Sequence, residues 1–253
     1  MNKTIQAKII FMAKETESSK LALQYLIDTK VEIVRAVIRK TDFALKTICS
    51  INNIIICEEE DLLLDYKKGK LHVDYIFSFY WKKIGYGILQ IPDKGGINFH
   101  PGPLPEARGS GYHIAILENW GYWGVTAHFM DKEFDTGAII ECRRFSISNE
   151  IINKDLVQIA HQQLFLLFKD IVNMILENKI FFAVLQQDGR YFGLKELENQ
   201  KQICEKDSIE EIDRKIRAFW NPPYNGAQIE IKGKNYTLIN EEILNWIVKK
   251  INV

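Results

Sequence analysis

The sequence predicts an α/β protein: a parallel-rich, twisted sheet with helices on both faces, followed by a small C-terminal module that contains a β-hairpin. Three observations lead there. Short apolar runs alternate with helix-like segments over the first part of the chain. These runs are apolar nearly throughout, not at every second residue, as strands covered on both faces are. Beyond about residue 180 the alternation gives way to a capped helix and two short β-rich runs. The chain divides on this reading into a main domain, residues 1–180, and a C-terminal module, residues 181–253.

In chain order, Ala7 to Met12 reads as a strand and Glu17 to Ile27 as a helix with Leu21 and Tyr25 on one face. Glu32 to Ile38 and Ile54 to Cys57 read as strands. Glu58 to Tyr66 reads as a helix whose acidic start suits the positive end of the helix dipole. Val73 to Phe79 is the next strand, and a further apolar run ends at Asn98 and His100. Ser110 to Trp120 reads as a helix. Gly124 to Asp131 reads as a strand with Val125, Ala127 and Phe129 on one face and Thr126, His128 and Met130 on the other. Ala138 to Ile147 leaves as another strand, and Lys154 to Asn178 is amphipathic enough to form one helix. Ser208 and Glu211 have capping-box spacing ahead of a stripe of Ile209, Ile212, Ile216 and Phe219, which must stop before Asn221-Pro222-Pro223. Gln228 to Ile231 and Tyr236 to Ile239, joined through Lys232-Gly233-Lys234-Asn235, predict a hairpin.

Composition narrows the function classes. At 253 residues, 47% apolar and 26% charged, the chain is that of an ordinary globular protein with a sizeable core. Thirty-three basic side chains balance 33 acidic ones, so a nucleic-acid partner has no broad electrostatic footprint to bind. Four scattered cysteines lack metal-ligand spacing and predict buried free thiols in a reducing cytosol, with no metal site. The N-terminal apolar stretch, Ile9 to Ala13, is too short for a signal peptide or a membrane span, so a cytoplasmic location and no membrane partner are expected. Met12 to Glu17 contains no glycine, which disfavours a dinucleotide cofactor at the first strand.

The segment Gly96-Ile97-Asn98-Phe99-His100-Pro101-Gly102-Pro103-Leu104-Pro105 carries the first chemical signal. Residues two apart on an extended chain point to the same side, so Asn98 and His100 converge on one volume, and the prolines stiffen the adjoining loop. Open parallel sheets bind ligands beyond the carboxyl ends of their strands, where both this pair and Ser78-Phe79-Tyr80-Trp81 fall. Spacing alone also accommodates an Asx-type turn with an incidental histidine. Asp135, in the carboxylate-rich loop Asp131 to Gly137, reads equally as a turn residue.

Asn98-x-His100-Pro101, Leu104-Pro105, Arg108-Gly109, Gly124-Val125-Thr126-x-His128-Phe129-Met130 and Asp135-Thr136-Gly137, in this order and spacing, resemble the 10-formyltetrahydrofolate-dependent formyltransferases. The resemblance spans roughly residues 73 to 145. It implies a Rossmann-like catalytic domain and a triad of Asn98, His100 and Asp135. It also implies 10-formyltetrahydrofolate as donor, lying along Ser78, Phe79, Tyr80, Trp81 and Lys82 with main-chain contacts to the pteridine.

The segment Ile216 to Ala227 looks like the one that follows the catalytic domain in formyltransferases acting on nucleotide-linked amino sugars. It implies a small-molecule acceptor of that class, with dTDP-4-amino-4,6-dideoxyglucose as the nearest resemblance and bacterial surface glycans such as O-antigen as its destination. Arg108 is then a candidate for the diphosphate, and Tyr224, with Asn225 nearby, for the base. A methionyl-tRNA formyltransferase and a non-catalytic folate-binding protein of the same fold are the alternatives. An exposed hairpin edge could pair with a second subunit as a homodimer.

In formyl transfer an amine attacks the formyl carbon, an oxyanion forms and the folate nitrogen leaves. Asn98 would donate to the oxyanion, a contribution whose loss typically costs about 100-fold in rate. His100 would take the amine's proton or stabilise the oxyanion, and Asp135 would orient it. The choice of base between His100 and Asp135 stays open in the sequence, and His128 is placed behind the reacting groups. His72, His113 and His161 carry no role.

Overall fold

A computed structural model describes residues 7–80, 82–109 and 111–251. In chain order the elements are β1 (Lys8–Ala13), α1 (Glu17–Asp28), β2 (Glu32–Ile38), α2 (Phe43–Ile51), α3 (Glu59–Lys67), β3 (Tyr75–Phe79), α4 (Tyr86–Leu89) and β4 (Gly96–His100). Then come β5 (Arg108–Gly109), α5 (Tyr112–Leu117), β6 (Tyr122–Phe129), β7 (Ile139–Ser146) and α6 (Asn153–Leu176). The remainder is β8 (Tyr191–Phe192), α7 (Leu194–Gln200), α8 (Ile209–Phe219), β9 (Gln228–Ile231), β10 (Lys234–Thr237) and α9 (Glu241–Ile251).

Six strands form the central sheet in the order β2-β1-β3-β4-β6-β7. The first four run parallel, whereas β6 is antiparallel to β4 and β7 to β6. The connection from β4 to the reversed β6 carries the proline loop, β5 and α5. Alternate residues of each strand feed two cores. Ile9, Phe11, Phe77, Phe99, Val125 and Ala127 face α1, α2 and α6, while Ile10, Met12 and Ile76 face α3 and α4. Beneath the ends of β3 and β4 the first core is aromatic: Phe168 of α6 lies 4.8 Å from Phe99 and 5.5 Å from Phe79, ring to ring. A third, small cluster joins Ile203, Ile216, Ala227 and Ile243 to Ile152. Within α8, Ala218 and Phe219 face the main core while Ile216 belongs to the small one.

The expected strand at Ile54 to Cys57 reduces to one parallel bridge, Ala36 to Ile56, in which the Ala36 N–H donates to the Ile55 carbonyl and the Cys57 N–H to the Ala36 carbonyl. The hairpin is tighter than expected: Lys234 pairs with Ile231, so Lys232 and Gly233 alone make the turn, both at positive φ (52° and 77°), as a two-residue hairpin turn requires. The strand therefore ends at Thr237, not Ile239. The capping box at α8 forms in both directions, with Ser208 Oγ accepting from the Glu211 N–H and Glu211 Oε2 from the Ser208 N–H. Cys49 is buried, whereas Cys204 is exposed, against the expectation of four buried thiols. Trp81 and Ser110 lie outside the described residues, as do the first six residues of the expected main domain and the last two of the C-terminal module. Among the described residues no helix is long and apolar enough to cross a membrane.

Candidate active site

Strand register builds the site. Met12 pairs with Ser78, Ser78 with Asn98, and Asn98 with His128, so one row of side chains crosses four strands on the face covered by α3 and α4. His100 pairs with Thr126 in the next row on the same face. The alternation that sends Ile97 and Phe99 into the core beneath α6 thereby presents Asn98 and His100 together at the carboxyl end of β4.

The proline loop after β4 is pinned to β6. Thr126 Oγ1 donates to the Gly102 carbonyl at 2.8 Å and accepts from the Leu104 N–H at 3.1 Å, and Trp123 Nε1 donates to the Pro101 carbonyl at 3.0 Å. The Leu104-Pro105 peptide is cis. The loop returns Ala107 to His100, whose Nε2 lies 2.7 Å from the Ala107 carbonyl oxygen. A carbonyl only accepts, so Nε2 carries the proton and neutral His100 keeps its lone pair on Nδ1. That atom faces Asp135 Oδ2 at 3.6 Å, a separation expected of two acceptors that share no proton.

Asp135 arrives on the turn between β6 and β7 with φ 55°, in the left-handed region that Asp tolerates better than most residues. Two residues on, a Cβ on Gly137 would stand 1.8 Å from the Phe129 carbonyl oxygen, so only glycine lets the turn close there. The Asp135 carboxylate accepts from the Gly109 N–H at 2.9 Å and from Asn98 Nδ2 at 3.4 Å. Burial opposes its ionisation, but the His100 and His128 imidazoles and the Gly109 N–H outweigh burial and hold its carboxyl well below the usual range. Burial pushes His100 below the ordinary imidazole value, although Asp135 and the Ala107 carbonyl favour its charged form. At neutral pH the pair is a carboxylate and a neutral imidazole.

His128 joins the same group of side chains. Its Nδ1 donates to the Phe129 carbonyl at 2.8 Å, which leaves Nε2 to accept from Asn98 Nδ2 at 3.1 Å and sets it 3.6 Å from Asp135 Oδ1. With His128 and Asp135 both accepting, the amide nitrogen of Asn98 must face them. Its longer contact, to Asp135, is the one that can yield to a developing oxyanion.

The remaining expected residues fall in three places. Ser78 Oγ accepts from the Tyr80 N–H at 3.3 Å, and the Phe79 ring stacks on Phe99 in the core. Tyr80 donates to Glu59 at 2.6 Å, and Lys82 pairs with the same carboxylate at 2.9 Å. All four side chains have partners within the protein. Arg108, on β5, donates to Gln186 Oε1 and the Gln187 carbonyl beside the Asp135 turn. Tyr224 and Asn225 lie apart from this group, exposed in the turn ahead of β9. A cavity of about 270 Å³ between α5 and α8, lined by Gln200, Glu211 and Arg214, contains none of the candidate residues.

The sequence assigns no role to three groups found here: the Ala107 carbonyl, the Gly109 N–H and Gln186. The first two are main-chain atoms that no residue type announces, and Gln186 sits in a segment without periodicity.

Residues 57–164 match the family described as formyl transferase. The GDP-perosamine N-formyltransferase of Brucella melitensis is 29% identical over 180 residues, which cover 70% of this chain and 69% of that protein. A methionyl-tRNA formyltransferase of Ehrlichia canis is 31% identical over 253 aligned residues, 90% of this chain and 80% of that one. Among solved structures, the N-formyltransferase of Helicobacter canadensis in complex with folinic acid and dTDP-3-aminofucose superposes with a TM-score of 0.74 at 22% identity, covering 88% of this chain and 84% of that one. These matches settle the family: the chain belongs to the formyl transferase family and is an N-formyltransferase.

Proposed function

We propose that this enzyme moves the formyl group of 10-formyltetrahydrofolate to the amino group of a nucleotide-linked amino sugar. Asn98, His100 and Asp135 do the chemistry. The observation that carries this reading is their convergence, with Asn98 Nδ2 3.4 Å from Asp135 and His100 Nδ1 3.6 Å from it. As the acceptor nitrogen bonds to the formyl carbon, the oxygen takes up charge and Asn98 Nδ2 shifts its weaker N–H from Asp135 to that oxyanion. The proton leaving the nitrogen goes to the lone pair on His100 Nδ1. The imidazolium so formed lies between the Ala107 carbonyl and the Asp135 carboxylate, both of which stabilise it. The C–N bond to the folate then breaks, and the proton passes from His100 to the departing nitrogen. His100 is the base on this account and Asp135 its electrostatic partner.

The donor lies along the Ser78 to Lys82 segment, bound through main-chain groups. Arg108 attracts the acceptor's diphosphate. Tyr224, 71% exposed, offers an open ring for the base, a contact worth about 1–3 kcal/mol per base in nucleic-acid systems, with Asn225 beside it. A nucleotide sugar is favoured by the relatives acting on GDP-perosamine and holding dTDP-3-aminofucose. dTDP-4-amino-4,6-dideoxyglucose is the specific acceptor proposed, for cytoplasmic synthesis of a surface glycan, by a homodimer paired through the C-terminal module. One observation favours a second reading: the methionyl-tRNA formyltransferase match covers 90% of the chain. Against it stands a formal net charge of zero. Incubation with the formyl donor and, separately, dTDP-, GDP- and UDP-linked amino sugars or charged initiator tRNA, read as a gain of one formyl group by mass, separates them. Formylation of the tRNA alone would overturn the sugar reading.

A further inference from the structure

One side-chain amide ties the Asp135 turn to the arginine beside it. Gln186 Nε2 donates to the carbonyl oxygens of Asp135 at 2.9 Å and Gly137 at 2.7 Å. Its Oε1 accepts from the Arg108 guanidinium at 3.3 and 3.1 Å. The partners fix the amide's orientation, since the two carbonyls only accept and the guanidinium only donates. Every contact falls on the loop that carries the carboxylate or on the cation next to it.

The Gly109 N–H and Asn98 hold the Asp135 carboxylate, and Gln186 holds the main chain that carries it. The turn is closed on one side by the Phe129 carbonyl, which Gly137 meets with no room for a Cβ. On the other side the segment carrying Gln186 is joined to β7 by the Val184–Ile139 bridge, while Leu185 and Phe182 point into solvent, 84% and 87% exposed. Phe181 anchors the start of this segment on the main core, edge-on to Phe129, and the Gln186 amide carries its hydrogen bonds to the turn. Asp135, held at φ 55°, depends on such outside contacts to stay there.

We propose that Gln186 is a positioning residue for formyl transfer: it holds the Asp135 carboxylate against His100 and couples that placement to the charge state around Arg108. An anion drawn to Arg108, such as the diphosphate of the acceptor, engages the guanidinium that Gln186 Oε1 also holds. Acceptor binding is thereby felt by the amide that orients the catalytic turn. The inference rests on the reading that Asp135 acts with His100.

Gln186→Met and Gln186→Glu test it. Methionine keeps the length and removes both hydrogen-bonding functions; glutamate keeps an acceptor for Arg108 but presents only oxygens to the two carbonyls. Both variants, with wild-type circular dichroism, are expected to lose about tenfold or more in kcat, since a displacement of about 1 Å at a reacting group costs as much as 100-fold. The KM for the formyl donor should stay within about twofold. The NMR titration midpoint of the His100 ring should move to lower pH in both, because the carboxylate that favours the imidazolium is no longer held. Leu185→Ala, an exposed neighbour, should keep wild-type kcat.

Gln186 variants with kcat within about twofold of wild type overturn the proposal, as does a fall in kcat that leaves the His100 midpoint unmoved. Asp135→Asn, assayed in parallel, separates the two levels. If it keeps full activity, the reading of Asp135 fails and the inference with it; if it is inactive while the Gln186 variants are not, the inference alone fails.

Discussion

His100 Nε2 donates to the Ala107 carbonyl at 2.7 Å, and the residue that makes room for this contact is Gly102. A Cβ at position 102 would stand 2.6 Å from His100 Nε2 and 3.0 Å from the Ala107 oxygen. Alanine there must push the imidazole or the loop aside. We expect Gly102→Ala to fold and to lose about tenfold or more in kcat, a displacement effect on a reacting group. Steady-state kinetics with circular dichroism checks it, and wild-type kcat would show that the tether to Ala107 does not matter.

Burial of the same ring sets a proton-binding property. His100 must be neutral to accept a proton, and burial lowers its pKa from the ordinary value of 6.5 despite the opposing carboxylate. Its ring is expected to titrate below pH 6.5, so that it is neutral and competent at neutral pH. NMR of the His100 ring reads this directly, and a midpoint at or above 6.5 contradicts it.

Stability should depend on pH through two further imidazoles. Burial lowers His113 to about 4, and it lowers His161 to about 4 as well. Above pH 6.5 these groups are neutral whether the chain is folded or not. Between 6.5 and 4 the unfolded chain binds protons that the folded chain refuses, so stability falls as pH falls, by at most about 1.4 kcal/mol per pH unit for each imidazole. Urea midpoints at pH 7 and pH 5 measure the slope, and His113→Phe should reduce it. An unchanged midpoint across that range would contradict the account.

Phe168 supports the strand ends that carry Ser78 and Asn98, with its ring 4.8 Å from Phe99, 5.5 Å from Phe79 and 5.8 Å from Phe77. It is fully buried, so Phe168→Ala should cost about 3–5 kcal/mol. Chemical denaturation measures it, and a loss below about 1 kcal/mol would mean that the aromatic cluster collapses to fill the space.

Much of the site is legible in the sequence, because β-strand geometry is local. The spacing of Asn98 and His100 places both on one face, and the alternation along Val125 to Met130 separates Thr126 and His128 from the core. The hidden part depends on strand direction. Asn98 meets His128, and His100 meets Thr126, only because β6 runs antiparallel to β4, and residue types say nothing of that reversal. The hairpin turn is shorter than its sequence implies for a related reason: Lys232 accepts a positive φ that its side chain does not announce. Ser78 and Phe79 lie at a strand end, as their apolar run predicts, but the commitment of Tyr80 and Lys82 to Glu59 depends on the packing of α3.

The central claim is that Asn98, His100 and Asp135 form one acyl-transfer centre, and the rate of formyl transfer by Asn98→Ala tests it most directly. With the fold intact by circular dichroism, kcat should fall by about 100-fold or more, the usual cost of losing one oxyanion donor. Undiminished transfer by Asn98→Ala would contradict the account.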